Sequence, residues 1–252
     1  MTEVPCNIEY TTPAIEAFYR EHRIRWDQFY DSERVVLTEL APSAATSVLD
    51  VGCGCGGLGL ALRDAFGVTD YTGVEINRQA AATARAMNPA GRFICADMLS
   101  VTAQQLADES FDLVVSLSCI DWNLQFAAML ARAYRHVKPG GQLVASLRLT
   151  ARESLLDIGR SYQYINFDGR RDGELAPYVV LNVRDLLRDL LALAPERVRG
   201  YGYWGAPSVT AVTPLAQIGF AVFALRKGVR VSASTRVELD LPTELMRAAF
   251  RD

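Results

Sequence analysis

Apolar runs and helix-spaced polar segments alternate regularly between residues 45 and 149. Ser47–Val51 reads as a strand that runs into a glycine cluster, and Leu58–Phe66 follows with apolar residues at helical spacing. Tyr71–Glu75 is a second strand, Arg78–Met87 a helix and Arg92–Ala96 a third strand. Thr102-x-x-Gln105 has the form of a capping box and predicts a weak helix. Phe111–Leu117 gives a fourth strand, Leu124–Val137 a helix stopped by Lys138-Pro139-Gly140-Gly141, and Gln142–Leu149 a fifth strand. Such alternation predicts a parallel α/β sheet with helical crossovers.

Outside this stretch the rhythm differs. Thr12–Tyr30 predicts one helix, broken at Asp31-Ser32 before a shorter one ending at Leu40, with Ala41-Pro42-Ser43 as linker. Residues 150–180 mix polar, aromatic and glycine positions and read as an insertion. Asn182 caps a predicted helix to Ala194, and Arg197–Tyr203 and Phe220–Arg226 are the last predicted strands. Residues 228–252 read as a tail with a short terminal helix. The expected organisation is a single domain over 1–252, made of a helical segment (1–42), a core (45–149), the insertion (150–180), a C-terminal helix and strands (181–227) and the tail.

Composition narrows the classes. Half of the 252 residues are hydrophobic and 22% are charged, enough to bury a core. The apolar runs Leu113–Leu117 and Ala221–Leu225 are far shorter than the roughly 20 residues a bilayer demands. Met1–Pro5 lacks a basic stretch followed by an apolar one, so a cytoplasmic, non-membrane protein is expected. A net charge of −3 offers no field for a nucleic-acid backbone, which points to a small-molecule partner. Five cysteines with a lone Cys53-x-Cys55 suggest neither a disulfide framework nor a zinc site, and no metal is expected. Monomer and homodimer both stay open.

Chemistry concentrates at Asp50-Val51-Gly52-Cys53-Gly54-Cys55-Gly56-Gly57. Gly52-x-Gly54-x-x-Gly57 satisfies the dinucleotide fingerprint, so an NAD(P)-dependent oxidoreductase is one alternative. Asp50 argues against it, because a carboxylate there repels a phosphate and suits a cationic group. Glu75 ends the second strand, where it can accept both ribose hydroxyls. Asp97-Met98 follows the third strand, where an acid can accept from an adenine amino group while an apolar side chain covers the ring.

Taken in order, these segments resemble the class I S-adenosylmethionine-dependent methyltransferases. Asp50-x-Gly52-x-Gly54-x-Gly56, Glu75, Ala96-Asp97-Met98, Phe111–Ser116 and Val137–Gly141 match five of that family's segments over about residues 45–149. The resemblance implies a Rossmann-like, doubly wound seven-stranded sheet, mostly parallel with the last strand antiparallel. It implies S-adenosyl-L-methionine as cofactor, S-adenosyl-L-homocysteine as product, and transfer to a small-molecule acceptor, with oxygen favoured over nitrogen. Its implied cofactor residues are Asp50, Gly52, Gly54, Gly56, Glu75, Asp97, Met98, Ser116 and Ser118. Residues 1–42 then become a helical lid and 150–180 a substrate-side insertion. Cofactor binding without methyl transfer is a further alternative.

Acceptor chemistry is less legible. Asp121 and Trp122 lie past strand four on the ligand-binding edge, Asp121 as base, orienting group or helix cap and Trp122 as a wall. Tyr19, His22, Trp26 and Tyr30 share one face of the predicted first helix. That stripe is either core or acceptor wall, with Tyr19 and Trp26 as wall candidates and His22 as a second acid–base candidate. Arg148 ends strand five and suits either an anionic or polyhydroxylated acceptor or an ion pair. His136, on the opposite edge, is expected to be structural.

Overall fold

Val48 and Leu49 point to opposite sides of the first strand, and each enters a different apolar cluster. The sheet is therefore covered on both faces, as parallel crossovers require. The computed structural model describes residues 7–166, 168–230 and 234–250. Its elements are α1 (Ala14–Tyr19), α2 (Asp31–Leu40), β1 (Ser47–Val51), α3 (Gly57–Phe66), β2 (Asp70–Glu75), α4 (Arg78–Met87) and β3 (Arg92–Cys95). There follow β4 (Phe111–Ser116), α5 (Phe126–Arg135), β5 (Val137–Thr150), β6 (Tyr162–Tyr164), β7 (Leu175–Pro177), β8 (Leu181–Asn182) and α6 (Val183–Ala192). The chain ends with β9 (Arg197–Gly205), β10 (Ala211–Val212), β11 (Ile218–Arg226), β12 (Arg236–Asp240) and α7 (Thr243–Ala249).

The main sheet runs β12-β9-β11-β5-β4-β1-β2-β3, with β8 added beside the end of β5. β11 is antiparallel to both of its neighbours, while the β12–β9, β5–β4, β4–β1, β1–β2 and β2–β3 pairs are parallel. The expected seven strands are present, and β8 and β12 extend them. Chain order reverses between β1 and β4, so the carboxyl ends of those strands flank the crevice where ligands sit in open α/β sheets.

Four expectations change. The single N-terminal helix stops at Tyr19, and a 3-10 turn at Trp26–Gln28 replaces its second half. Arg23 adopts φ 60°, and the Gln28 carboxamide oxygen accepts from the Ile24 and Arg25 amides at 2.9 and 3.0 Å, so side-chain capture replaces the helical ladder. The Thr102–Gln105 box forms, with the Thr102 amide donating to Gln105 at 3.0 Å, yet it closes only a turn. The insertion carries order of its own, because β6 lies between β10 and β7 in a small antiparallel sheet. The tail contributes β12, in register with β9 from Arg236–Arg197 to Asp240–Tyr201. Asn182 caps α6 as expected, accepting from the Arg184 and Asp185 amides. Among the described residues, no helix is long and apolar enough to cross a membrane.

Candidate active site

β1 delivers Asp50 and the glycine loop to the crevice. Gly52 has φ +75° and Gly54 φ +53°, and a Cβ on Gly52 would lie 2.2 Å from Cys119 Sγ, so only glycine lets the loop pass beneath the segment after β4. Asp50 is 4% exposed and accepts from the Tyr71 hydroxyl. Burial pushes its carboxyl up to about 7, against the pull of the Tyr71 hydrogen bond. A cation placed beside it would favour the ionised form.

Glu75 closes β2 and ties the loop to the next helix. Its carboxylate accepts from the Gly54 and Asn77 amides, both at 2.8 Å. Burial raises its carboxyl while these amides pull it down. Asp97 accepts from the Leu99 amide at 2.9 Å, and from the Asn7 amide and side-chain Nδ2, both at 2.7 Å. Asp50, Gly52, Gly54, Glu75, Asp97, Met98 and Ser118 all line one cavity of about 140 Å³. Its roof is the N-terminal segment, through Asn7, Tyr10 and Tyr19. The Tyr10 carbonyl accepts from Asn77 at 2.9 Å, and Glu174 accepts from the Thr11 and Thr12 amides, so this segment is tied to both the core and the insertion.

Two expected cofactor residues lie elsewhere. Gly56 has φ +75° and backs onto Phe93 and Ala84, where its lack of a side chain lets α3 approach the sheet. Ser116 is fully buried and donates to the Val51 carbonyl at 3.2 Å, holding β4 to β1.

A second cavity of about 550 Å³ adjoins the first, and Tyr19, His22, Arg23, Ser118 and Trp122 line both. Asp121 and Arg148 line the second. They form a buried ion pair, Arg148 Nε to Asp121 Oδ2 at 2.8 Å, and Arg148 Nη2 donates to the Asp121 carbonyl. Burial raises the Asp121 carboxyl, and the Arg148 guanidinium opposes that rise. The helix-cap reading of Asp121 is not realised, because no side-chain cap bond forms at the 3-10 turn Ile120–Trp122 or at α5. His22 stacks on Phe18 with ring centroids 4.2 Å apart. Its Nδ1 lies 3.0 Å from the Phe18 carbonyl, which can only accept, so Nδ1 donates there.

Trp26 lines neither cavity. It packs edge-on against Phe66 at 5.0 Å within the core, because the broken helix turns it away from Tyr19. His136 is structural, fully buried with Nδ1 2.9 Å from the Ala107 carbonyl. Sequence reading missed Asn7, Gln163 and Tyr178. Of these only Gln163 had a signal, since alternation along β6 puts it on the face opposite Tyr162 and Tyr164. Phe167, another aromatic of the insertion, lies outside the described residues.

The donor set fits a nucleoside that carries a cationic sulfur. The cavity presents carboxylates from Asp50, Glu75 and Asp97 around a glycine cradle, a wall that repels phosphate and accepts from hydroxyl, amino and ammonium groups. Residues 48–141 match the family model described as a methyltransferase domain. Over that stretch the chain is similar to methyltransferase domains, which supports the resemblance to the class I S-adenosylmethionine-dependent methyltransferases. A ubiquinone biosynthesis O-methyltransferase of Pseudomonas paraeruginosa is 34% identical over 113 residues, covering 44% of this chain and 47% of that protein. A malonyl-acyl-carrier-protein O-methyltransferase of Enterobacter lignolyticus is 29% identical over 135 residues, covering 54% and 51%. The chain thus spans about half the length of these curated relatives. In structure, this methyltransferase fold matches a SAM-dependent methyltransferase of Methanosarcina mazei with a TM-score of 0.59 at 17% identity, over 80% of this chain and 99% of that one.

Proposed function

We propose that the protein methylates a small-molecule acceptor, at oxygen in preference to nitrogen. The observation that carries this reading is the adjacency of the two cavities, one walled by Asp50, Glu75 and Asp97, the other wide enough for a metabolite and reached past His22 and Ser118. Bound S-adenosylmethionine supplies a methyl group on a positively charged sulfur, which keeps the bonding pair when the methyl departs. In this reading Asp50 faces the cationic part of the cofactor, Glu75 accepts the ribose hydroxyls, Asp97 accepts the adenine amino group and Met98 covers the ring.

On the acceptor side, His22, which lines both cavities, is the candidate to take the proton of an acceptor hydroxyl. Oxygen needs such help more than a neutral amine does. The names of the matched relatives, both O-methyltransferases, support the same atom. Asp121 is held by Arg148 and suits positioning better than proton removal. Incubation with deuteromethyl-labelled cofactor and a panel of phenols and amines tests the proposal by mass. The expected result is one labelled methyl per S-adenosylhomocysteine formed, with His22→Gln lowering kcat about a hundredfold and leaving S-adenosylhomocysteine affinity unchanged. Full turnover in His22→Gln would remove histidine from the chemistry.

Asn7 has a role of its own in this reading. Its side chain donates to Asp97 where an adenine amino group would, and the 140 Å³ cavity lies below the roughly 300 Å³ that ligand pockets start from. The cofactor therefore displaces Asn7 as it binds. Asn7→Ala is expected to tighten S-adenosylhomocysteine binding about fivefold, the worth of ~1 kcal/mol of lost competition. Weaker binding in calorimetry would make Asn7 a cofactor ligand instead.

A further inference from the structure

The second cavity has an electrostatic balance that selects among acceptors. Two guanidinium groups line it, and both are neutralised by the protein itself. Arg148 is paired with Asp121 at 2.8 Å, and Arg23 Nη2 donates to both oxygens of the fully buried Glu33 at 2.9 and 3.0 Å. Neither cation is left over for a carboxylate or phosphate, and neither acid for an ammonium. An ionic ligand would enter at the full cost of desolvation, with no partner waiting.

Two polar groups in the walls do lack partners. Asp121 Oδ1 is buried without a hydrogen bond, and Gln163, 8% exposed, lines the cavity without a side-chain hydrogen bond among the described residues. A buried acceptor such as Asp121 Oδ1 is seldom left so, and leaving it unmet costs ~1–3 kcal/mol. The carboxylate oxygen can only accept, while the carboxamide both donates and accepts. Around them the walls are aromatic. Tyr178 lies against the Arg148 guanidinium with its ring centroid 3.8 Å from Cζ, and Trp122 stands 5.9 Å away on the same group. Tyr30 and Phe220, rings 5.8 Å apart, form another side.

Resting on the methyltransferase reading above, we infer that the acceptor is a planar, uncharged aromatic or heteroaromatic molecule whose hydroxyl or ring N–H donates to Asp121 Oδ1 and whose second polar edge meets Gln163. Asp121, Arg148, Gln163 and Tyr178 line only the second cavity, whereas His22 and Ser118 line both. The first four are thus positioning residues. They hold the part of the acceptor that lies away from the transferred methyl.

The test uses the full-length protein and three probes of one shape: 2-quinolinone, neutral with a donor and an acceptor on one edge; 2-naphthoate, anionic; and naphthalene, with no polar edge. Binding is followed by calorimetry with and without S-adenosylhomocysteine. Expected is about tenfold tighter binding of 2-quinolinone than of either other probe. Gln163→Leu should bring 2-quinolinone to within about twofold of naphthalene, with the affinity for S-adenosylhomocysteine unchanged. Equal or tighter binding of 2-naphthoate overturns the inference, as does preference for 2-quinolinone surviving in Gln163→Leu. Failure of S-adenosylhomocysteine to bind strikes the cofactor reading alone, since probe selectivity is also read in its absence.

Discussion

Arg148→Met is expected to destabilise the protein by ~3–5 kcal/mol, because it strands Asp121 as a buried, unpaired carboxylate. Asp121 and Arg148 are 5% and 4% exposed, so water cannot replace the missing guanidinium without opening the wall between β5 and the turn after β4. The sign of the pH dependence follows. Burial already raises the Asp121 carboxyl, and losing Arg148 removes the main force opposing that rise. The native variant then prefers the protonated acid, so its stability falls as pH rises and the deficit shrinks at low pH. Asp121→Asn combined with Arg148→Met leaves no charge to bury and should recover most of the loss. Urea midpoints of the wild type and the two variants measure this. A cost below ~1 kcal/mol for Arg148→Met would mean that the pair is solvated.

Glu75→Ala should abolish useful cofactor binding while the fold persists. The carboxylate aligns the Gly54 and Asn77 amides, and in the proposed complex it also accepts from the ribose. Charge-assisted hydrogen bonds are worth about 1.5–3 kcal/mol each, so losing the ribose pair weakens S-adenosylhomocysteine binding about a hundredfold or more. Glu75→Gln, which keeps one acceptor oxygen, is expected to fall between alanine and wild type. Calorimetry with S-adenosylhomocysteine decides, with circular dichroism as the check on folding. Wild-type affinity in Glu75→Ala would end the ribose assignment.

How much of this is legible in the sequence depends on what each residue answers to. Strands β1, β2 and β4 answer to burial on both faces, and Asp50, Glu75 and Asp97 stand at or just past strand ends that any parallel sheet aligns. They were legible for that reason. Ser116 and Gly56 sit one step from the same edge, and only the register shows that they serve β4–β1 and α3–sheet packing. The helix predicted over Thr12–Tyr30 failed at Arg23 and Gln28, where one carboxamide takes two amides and the aromatic stripe splits. Periodicity carries no record of such capture. Val237 and Leu239 alternate with charged neighbours in β12, a strand pattern that the sequence of the tail carries. Asn7 carries no sequence signal, since what distinguishes it is long-range contact with Asp97 and Met129.

Tyr19, His22 and Arg23 belong to one short stretch of chain and yet border both chambers. Any displacement that exposes the nucleoside pocket must also unmake part of the acceptor's enclosure. Under the function proposed above, a nucleoside that entered by displacing this stretch would load before the acceptor, whose room would be complete only once the stretch had settled back.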